Sequence, residues 1–68
     1  MKLSARNQIK GTVSAIKEGA VEAQVTLDVA GQKLTSVVTM DAVADLGLAV
    51  GSPVVAVIKA DHVMLAVE

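Results

Sequence analysis

Strict alternation of apolar and polar residues over positions 21–29 is the feature that most restricts how this chain can fold. Apolar side chains occupy the odd positions from Val21 to Val29, and polar side chains occupy the even positions between them. A period of two residues is that of a β-strand with one buried face, because successive side chains of a strand point to opposite sides. The chain is therefore expected to build its structure on a β-sheet.

Turn residues divide the rest of the chain into further strands. The segment before the alternating strand is β-rich but less regular, and β-branched residues fill the second half of the segment after it. Pro53 can begin a strand but cannot lie inside one. The expected strands cover residues 9–17, 21–29, 33–40, 53–59 and 62–67, separated by turns at Glu18-Gly19, Ala30-Gly31-Gln32, Gly51-Ser52-Pro53 and Ala60-Asp61.

One short helix of about two turns is expected over residues 41–46, where the alternation stops. Thr39 or Asp41 can serve as its N-cap. Gly47 stands where a helix-ending glycine belongs, and Leu48 follows as the apolar residue of a Schellman motif. The order of three strands, a helix and two strands predicts an all-β fold: an OB-like five-stranded barrel with one short helix between strands 3 and 4.

The small size of the chain predicts an oligomer. Its 68 residues form a single domain, residues 1–68, and a domain of this size has only a marginal core. Cysteine and aromatic residues are absent, so neither disulfides nor large aromatic side chains can stabilise it, yet 53% of the residues are hydrophobic. Burying this surplus between subunits is the remaining means of stabilisation.

Charge and hydropathy exclude several classes of protein. The net charge is −1, whereas a nucleic-acid-binding protein usually has a basic excess. No apolar run approaches the length of a membrane span, and no signal peptide is visible at the N-terminus. We therefore expect a cytoplasmic protein without nucleic-acid or membrane partners.

Catalysis has little support in the sequence, and we expect no enzyme. His62 is the only histidine, and it has no cysteine or carboxylate cluster near it in the sequence. Asp41 and Asp45 have the spacing of a solvated helix face rather than of a paired acid and base. No phosphate-binding loop, dinucleotide fingerprint or nucleophile motif is present.

The opening stretch S-A-R-N, residues 4–7, allows two interpretations. In one, Ser4 or Asn7 caps a turn and Arg6 forms a surface ion pair. In the other, these residues bind a dianion, since arginine supplies a fixed charge and a planar fork of donors, and Ser and Asn add neutral donors. Lys59, at the end of the fourth expected strand, is a candidate for the second positive charge, and the turn after it has N–H groups free of the sheet.

The same residues carry a resemblance to a known family. The stretch SARNQIKGTV, residues 4–13, is similar to the motif that opens the molbindin or Mop domain. The stretch TSVVTMDAVADLGLAVGSPVVAVIKADHVML, residues 35–65, resembles the remainder of that domain, including its I-K-A-x-x-V-M close. The resemblance extends over essentially the whole chain.

This resemblance implies an OB-like barrel that binds molybdate or tungstate. Single-domain members of the family resemble cytoplasmic storage or buffering proteins that assemble as hexamers, described as trimers of dimers. The domain also occurs fused to regulators and transporter ATPases, but a chain that begins at Met1 and has no room for a fusion partner fits the stand-alone role.

The resemblance also implies the residues of an anion site between subunits. One subunit would contribute Ser4 and Arg6, with backbone groups of Ala5 and Asn7, and also Lys59 and Ala60. The partner subunit would contribute the segment from Thr39 to Ala42. Position 42 is often serine in the family, so Ala42 loses a hydroxyl donor and can offer only its backbone N–H. A second class of site near a three-fold axis is implied too, without an assignment to residues of this sequence.

Two alternatives stay open beside molybdate or tungstate binding. One is a nucleic-acid-binding OB module, which the absence of aromatic residues and of a basic excess opposes. The other is a structural assembly domain without a ligand, which the loss of a hydroxyl at Ala42 keeps open.

Overall fold

A computed structural model describes residues 1–68 of the protein and contains one antiparallel sheet and one α-helix. The strands are β1 (Asn7–Glu18), β2 (Glu22–Val29), β3 (Gln32–Thr39) and β4 (Pro53–Ile58), the helix is α1 (Met40–Leu46), and a 3₁₀ turn covers Ala60–His62. The predicted helix and first four strands are confirmed, with ends that differ by no more than two residues.

The sheet has the order β3-β2-β1-β4, so β1 pairs with both β2 and β4. The first half of β1 pairs with β4 from Asn7↔Ile58 to Thr12↔Pro53. The second half pairs with β2, and the register shifts between Val13 and Ala15. At this bulge Ser14 Oγ donates a hydrogen bond of 3.1 Å to the carbonyl of Thr26. The bulge interrupts the alternation, which explains the less regular pattern of this segment.

A two-residue turn, Ala30-Gly31, joins β2 to β3. Both residues have positive φ angles, 50° for Ala30 and 84° for Gly31. The carboxylate of Asp28 accepts a hydrogen bond of 3.1 Å from the N–H of Gly31. Positive φ at both positions matches the twist of a hairpin, but Ala30 adopts it at a steric cost that glycine would not have.

The helix α1 has a defined cap at each end. Thr39 is the N-cap, and its Oγ1 accepts a hydrogen bond of 3.0 Å from the N–H of Ala42. Gly47 ends the helix with a φ angle of 63°. The N–H of Gly47 donates to the carbonyl of Ala44 and that of Leu48 to the carbonyl of Val43. These two bonds form the Schellman motif that the sequence predicted.

The turn before β4 is tied to the middle of β1 through main-chain bonds. The N–H of Val13 donates to the carbonyl of Ser52 at 2.9 Å, and the N–H of Gly51 donates to the carbonyl of Val13 at 2.8 Å. Pro53 then begins β4, as its missing N–H requires. These bonds fix the position along β1 at which β4 starts. They therefore also fix which residues of β1 lie opposite the end of β4.

The core is small for the apolar content of the chain. Five of the 68 residues are buried, namely Val13, Ala23, Val25, Leu27 and Val43. Many large apolar side chains remain exposed, including those of Val21, Leu46, Leu65 and Val67. The single chain therefore leaves much apolar surface in contact with water, and the hydrophobic effect favours burying that surface.

The predicted fifth strand, residues 62–67, is not formed, and the barrel is not closed. His62 lies in the 3₁₀ turn, and residues 63–68 form no regular structure and are all exposed. A strand needs a neighbouring backbone to pair with, and this segment has none within its own chain. The outer strands β3 and β4 are likewise not paired with each other. The fold is thus a four-stranded open sheet with one short helix.

An apolar groove lies where the barrel is open. It has a volume of about 240 Å³, and its walls come mainly from β3 and β4, with Val25 and Leu27 of the core also lining it. Leu46 and Leu48 contribute from the end of α1. Thus the groove continues the hydrophobic core to the surface.

The only α-helix, α1, has seven residues. A helix needs roughly 20 apolar residues to cross a bilayer, so no helix of this structure spans a membrane.

Candidate functional site

The end of the β1–β4 ladder brings the opening motif next to the end of β4. Asn7 and Ile58 are the last pair of this ladder. Arg6 directly precedes β1 and Lys59 directly follows β4, so the two residues lie at the same end of these paired strands. Ser4 and Ala5 precede Arg6 on one side. The structure thus brings together two cations that are far apart in the sequence.

Neither cation is neutralised by the protein. The one ion pair in the structure joins Lys33 Nζ to Asp28 Oδ2 at 3.9 Å, so the surface ion pair considered for Arg6 is not formed. Lys59 also lacks a carboxylate within that range. Two positive charges at this end of the sheet are therefore left without an ion-pair partner, on a protein whose net charge is −1.

The polar side chains of the opening motif are also free. The side chains of Ser4 and Asn7 form no hydrogen bond, so the turn-capping interpretation gains no support. Ser4 and Arg6 are exposed, whereas Ala5 and Asn7 are half-buried. The available donors here are thus a hydroxyl, an amide and a guanidinium without partners in the chain.

Gln8 holds the opening motif in place, a role that the sequence analysis missed. Its Nε2 donates a hydrogen bond of 3.1 Å to the carbonyl of Ala5. This bond spans Arg6 and Asn7 and restricts the backbone that carries them. Gln8 belongs to the S-A-R-N-Q motif, which was the only signal available for it.

The backbone after Lys59 turns away from the sheet. Lys59 is the N-cap residue of the 3₁₀ turn, and its carbonyl accepts a hydrogen bond of 3.0 Å from the N–H of His62. The N–H groups of Ala60 and Asp61 stand in the first turn, where a helical backbone offers them no acceptor. The tight connection predicted at Ala60-Asp61 is therefore present as a 3₁₀ turn.

Thr39 and Ala42 lie on a different part of the molecule. Thr39 ends β3, and β3 is the outer strand on the opposite side of the sheet order from β4. No hydrogen bond joins Thr39 or Ala42 to the group around Arg6 and Lys59. The N–H of Ala42, expected to be available, already donates to Thr39 Oγ1. That hydroxyl keeps its own hydrogen and can still donate it.

The other candidate residues do not form a reactive cluster. His62 is exposed in the 3₁₀ turn, and Asp41 and Asp45 are exposed on α1. No group of three or more histidine, cysteine or acidic side chains lies close enough to hold a metal ion. The arrangement around Arg6 and Lys59 is instead suited to hold an anion, because it combines uncompensated positive charge with free neutral donors.

Comparison with known proteins gives matches that cover nearly the whole chain. The model of the TOBE domain matches residues 3–65. Molybdenum-pterin-binding protein 3 of Clostridium pasteurianum is 48% identical over 66 residues, which are 96% of this chain and 97% of that protein.

Solved structures agree with these matches. A molybdate-binding protein from Sporomusa ovata has a TM-score of 0.93 and 39% identity, and the alignment covers 97% of this chain and 98% of the other. The cytoplasmic molybdate-binding protein ModG, with molybdate bound, has a TM-score of 0.85 and 57% identity over 88% of this chain and 43% of the other.

Proposed function

The chain belongs to the TOBE-domain family, as one of its molbindin (Mop) type, and we propose that it binds molybdate or tungstate reversibly between the subunits of a homo-oligomer. The observation that carries the proposal is the position of Arg6 and Lys59 immediately beyond the terminal pair Asn7↔Ile58, where neither cation has a carboxylate partner. The names of the relatives support the identity of the anion.

Charge and hydrogen bonding at this edge fit a tetrahedral dianion. Removing such an ion from water is expensive unless its charge is balanced and each oxygen finds a donor. Arg6 and Lys59 would balance the two negative charges. The hydroxyl of Ser4 and the backbone N–H groups of Ala5, Asn7 and Ala60 would satisfy oxygens that remain.

A second subunit would complete the site with Thr39 and Ala42. Thr39 would donate its hydroxyl hydrogen to an anion oxygen while its Oγ1 keeps the bond from Ala42. Ala42 would then act indirectly, by orienting Thr39, since its N–H is occupied. Anion binding that needs two subunits stabilises the oligomer, because the ligand binds only the assembled form.

Exposed apolar surface supports the oligomer. In residues 63–67 the large apolar side chains are exposed, Leu65 by 93% and Val67 by 98%. The groove between β3 and β4 has mostly apolar walls and lacks a covering strand. We place this segment of one copy in the groove of another, where it would become the missing fifth strand and pair with exposed strand edges. A hexamer built as a trimer of dimers is the assembly that the family resemblance implies.

The proposed role is storage or buffering of the anion in the cytoplasm, without catalysis. Reversible binding needs only the charges and donors described above, and the relatives are named for binding. A structural assembly domain without a ligand is the second candidate, favoured by one observation: Thr39 and Ala42 already satisfy each other.

Isothermal titration calorimetry distinguishes these functions. The purified oligomer is titrated in turn with molybdate, tungstate, sulfate and a single-stranded oligonucleotide at physiological salt. We expect saturable binding of molybdate or tungstate and weaker binding of sulfate, which carries the same charge but is smaller. Absence of binding by either oxyanion would leave the assembly domain, and binding of the oligonucleotide alone would indicate a nucleic-acid module.

A further inference from the structure

The hydrogen bond of Gln8 joins the segment before β1 to the β1–β4 ladder. Gln8 Nε2 donates to the carbonyl of Ala5 at 3.1 Å. The backbone of Gln8 lies in β1, where it pairs with Val57 of β4. The carbonyl of Ala5 is therefore held from a fixed point of the sheet. Lys59 follows Val57 by two residues, so the same ladder carries this point and the second proposed cation.

The same bond sets the direction of the N–H of Arg6. The carbonyl of Ala5 and the N–H of Arg6 belong to one peptide unit, which is planar and trans. In such a unit the carbonyl and the N–H point to opposite sides. Because Gln8 holds the carbonyl on its own side, the N–H of Arg6 faces away from the side chain of Gln8.

The N–H of Arg6 has no acceptor within the chain. Arg6 precedes β1, and no main-chain hydrogen bond outside the helix and strands involves its N–H. No side chain accepts a hydrogen bond from it either. Arg6 therefore carries two kinds of unused donor, this main-chain N–H and a guanidinium that forms no ion pair.

A dianion interacts oppositely with the two sides of this peptide unit. A main-chain N–H attracts an anion, whereas a carbonyl oxygen is an acceptor and repels it. If the unit turned over, the carbonyl of Ala5 would occupy the side on which the N–H of Arg6 now lies. The hydrogen bond from Gln8 opposes that reversal, and no other side chain binds this carbonyl.

We propose that Gln8 is a positioning residue of the anion site, which holds the carbonyl of Ala5 and so presents the N–H of Arg6 as a donor to the bound oxyanion. This inference rests on the proposed function. It adds one donor to the main-chain groups already assigned to the site, and Gln8 itself does not touch the anion. A single exposed hydrogen bond contributes little to the stability of the fold, so the main effect of Gln8 falls on affinity.

Gln8→Met tests the proposal, because methionine has a similar length but no donor. Calorimetry on the full-length oligomer measures the affinity for molybdate. We expect it to fall roughly two- to tenfold, the range that corresponds to one neutral hydrogen bond. Circular dichroism and sedimentation should show the fold and the oligomeric state of the wild type.

Gln24→Met is the matched control. Gln24 is an exposed glutamine of β2, and its side chain forms no hydrogen bond. The same substitution there removes a donor that holds nothing. Its affinity for molybdate should equal that of the wild type, and the melting temperatures of the two variants without anion should agree.

Nuclear magnetic resonance of the Arg6 amide separates positioning from a purely structural role. In the wild type this amide proton should move downfield when molybdate binds, because it gains a charge-assisted hydrogen bond, and in Gln8→Met the shift should be smaller. Suppose that the wild type binds molybdate but its Arg6 amide does not shift, or that Gln8→Met keeps the full shift or the full affinity. Any of these results would overturn the role of Gln8 and leave the proposed function intact, whereas absence of molybdate binding by the wild type would overturn both.

Discussion

Asn7 and Ile58 form the terminal rung of the β1–β4 ladder, and this pairing sets Arg6 beside Lys59. The two cations are thereby neighbours at the end of the ladder although they are far apart in the sequence. Their proximity depends on main-chain register, which the bonds between Val13 and the turn at Gly51-Ser52 help to set from the other end of β4.

Replacing Arg6 should weaken oxyanion binding in a graded manner. Arg6→Ala removes both the charge and the planar donors, while Arg6→Lys keeps the charge but loses the two-pronged geometry. Loss of a charge-assisted hydrogen bond costs about 1.5–3 kcal/mol, so Arg6→Ala should lower affinity roughly tenfold to more than a hundredfold. Calorimetry with molybdate measures both. Lys17→Ala removes an exposed charge elsewhere as a control, and wild-type affinity in Arg6→Lys would disprove the two-pronged role.

Lys59→Ala should separate ligand binding from intrinsic stability. Without Lys59 the dianion faces Arg6 alone, so most of the thermal stabilisation by molybdate should disappear. The melting temperature without ligand should stay level or rise, because a repulsion is removed. Scanning calorimetry or circular dichroism is the suitable measurement, since the chain has no aromatic residue for fluorescence. If the variant melts lower when empty but gains as much from molybdate as the wild type, Lys59 is structural.

Thr39 should have a measurable role as a helix cap besides its proposed role at the anion. Thr39→Ala leaves the N–H of Ala42 without its acceptor and should lower the free energy of unfolding by about 1 kcal/mol. Thr39→Ser retains the hydroxyl and should recover most of that loss. Urea unfolding at fixed protein concentration measures the change, and equal stability of the two variants would contradict the capping role.

Ala30→Asn should stabilise the protein without altering the anion site. Ala30 has a φ angle of 50° in a two-residue hairpin turn, a conformation in which alanine is strained and Asn-Gly is favoured. The left-handed conformation costs most residues roughly 1–2 kcal/mol, and asparagine tolerates it better than alanine. We therefore expect the free energy of unfolding to rise by about 0.5–1 kcal/mol, a part of that cost. Ala30→Val should lower it, and unchanged molybdate affinity in both variants is the control.

The exposed C-terminal tail, residues 63–67, should be needed for assembly of the oligomer. Leu65→Asp changes a side chain that is 93% exposed in the single chain, so the chain alone would predict no effect. If the tail docks on a second copy, a charge there is buried and the oligomer should dissociate. Sedimentation at micromolar concentration should show no appreciable folded monomer for the wild type and smaller species for the variant. Ala49→Asp, in an exposed loop, should leave the assembly intact.

Local signals were sufficient to predict most of the fold. The alternation over residues 21–29 gave β2, and Gly47 with Leu48 marked the end of α1, because such features depend only on neighbouring residues. The bulge at Ser14 could not be located, since a register shift depends on both strands. The fifth strand failed for a related reason: residues 62–67 have a strand-like pattern, but a pattern does not supply a backbone to pair with.

One part of the candidate site lies within a single chain, and the other part depends on a second copy. The sequence named Ser4, Arg6 and Lys59 as candidates, and the register of β1 and β4 puts all three at the same end of these strands. Contributions from Thr39 and Ala42 stay a prediction, because they depend on contacts between copies that one chain does not contain. Capture of the Ala42 N–H by Thr39 was not foreseen, although a threonine three residues before it is a common capping arrangement.

The division of β1 between two partners also determines the order in which the molecule can fold. The second half of β1 pairs with β2 and β2 with β3, neighbours in the chain that need only short loops to meet. The first half must wait for β4, which arrives after β2, β3 and α1 and so closes a much longer loop. The proposed anion site lies at the far end of that last pairing. A nascent chain would therefore complete its own half of the proposed site only when folding is otherwise complete, and an anion bound in the oligomer would oppose separation of β4 from β1.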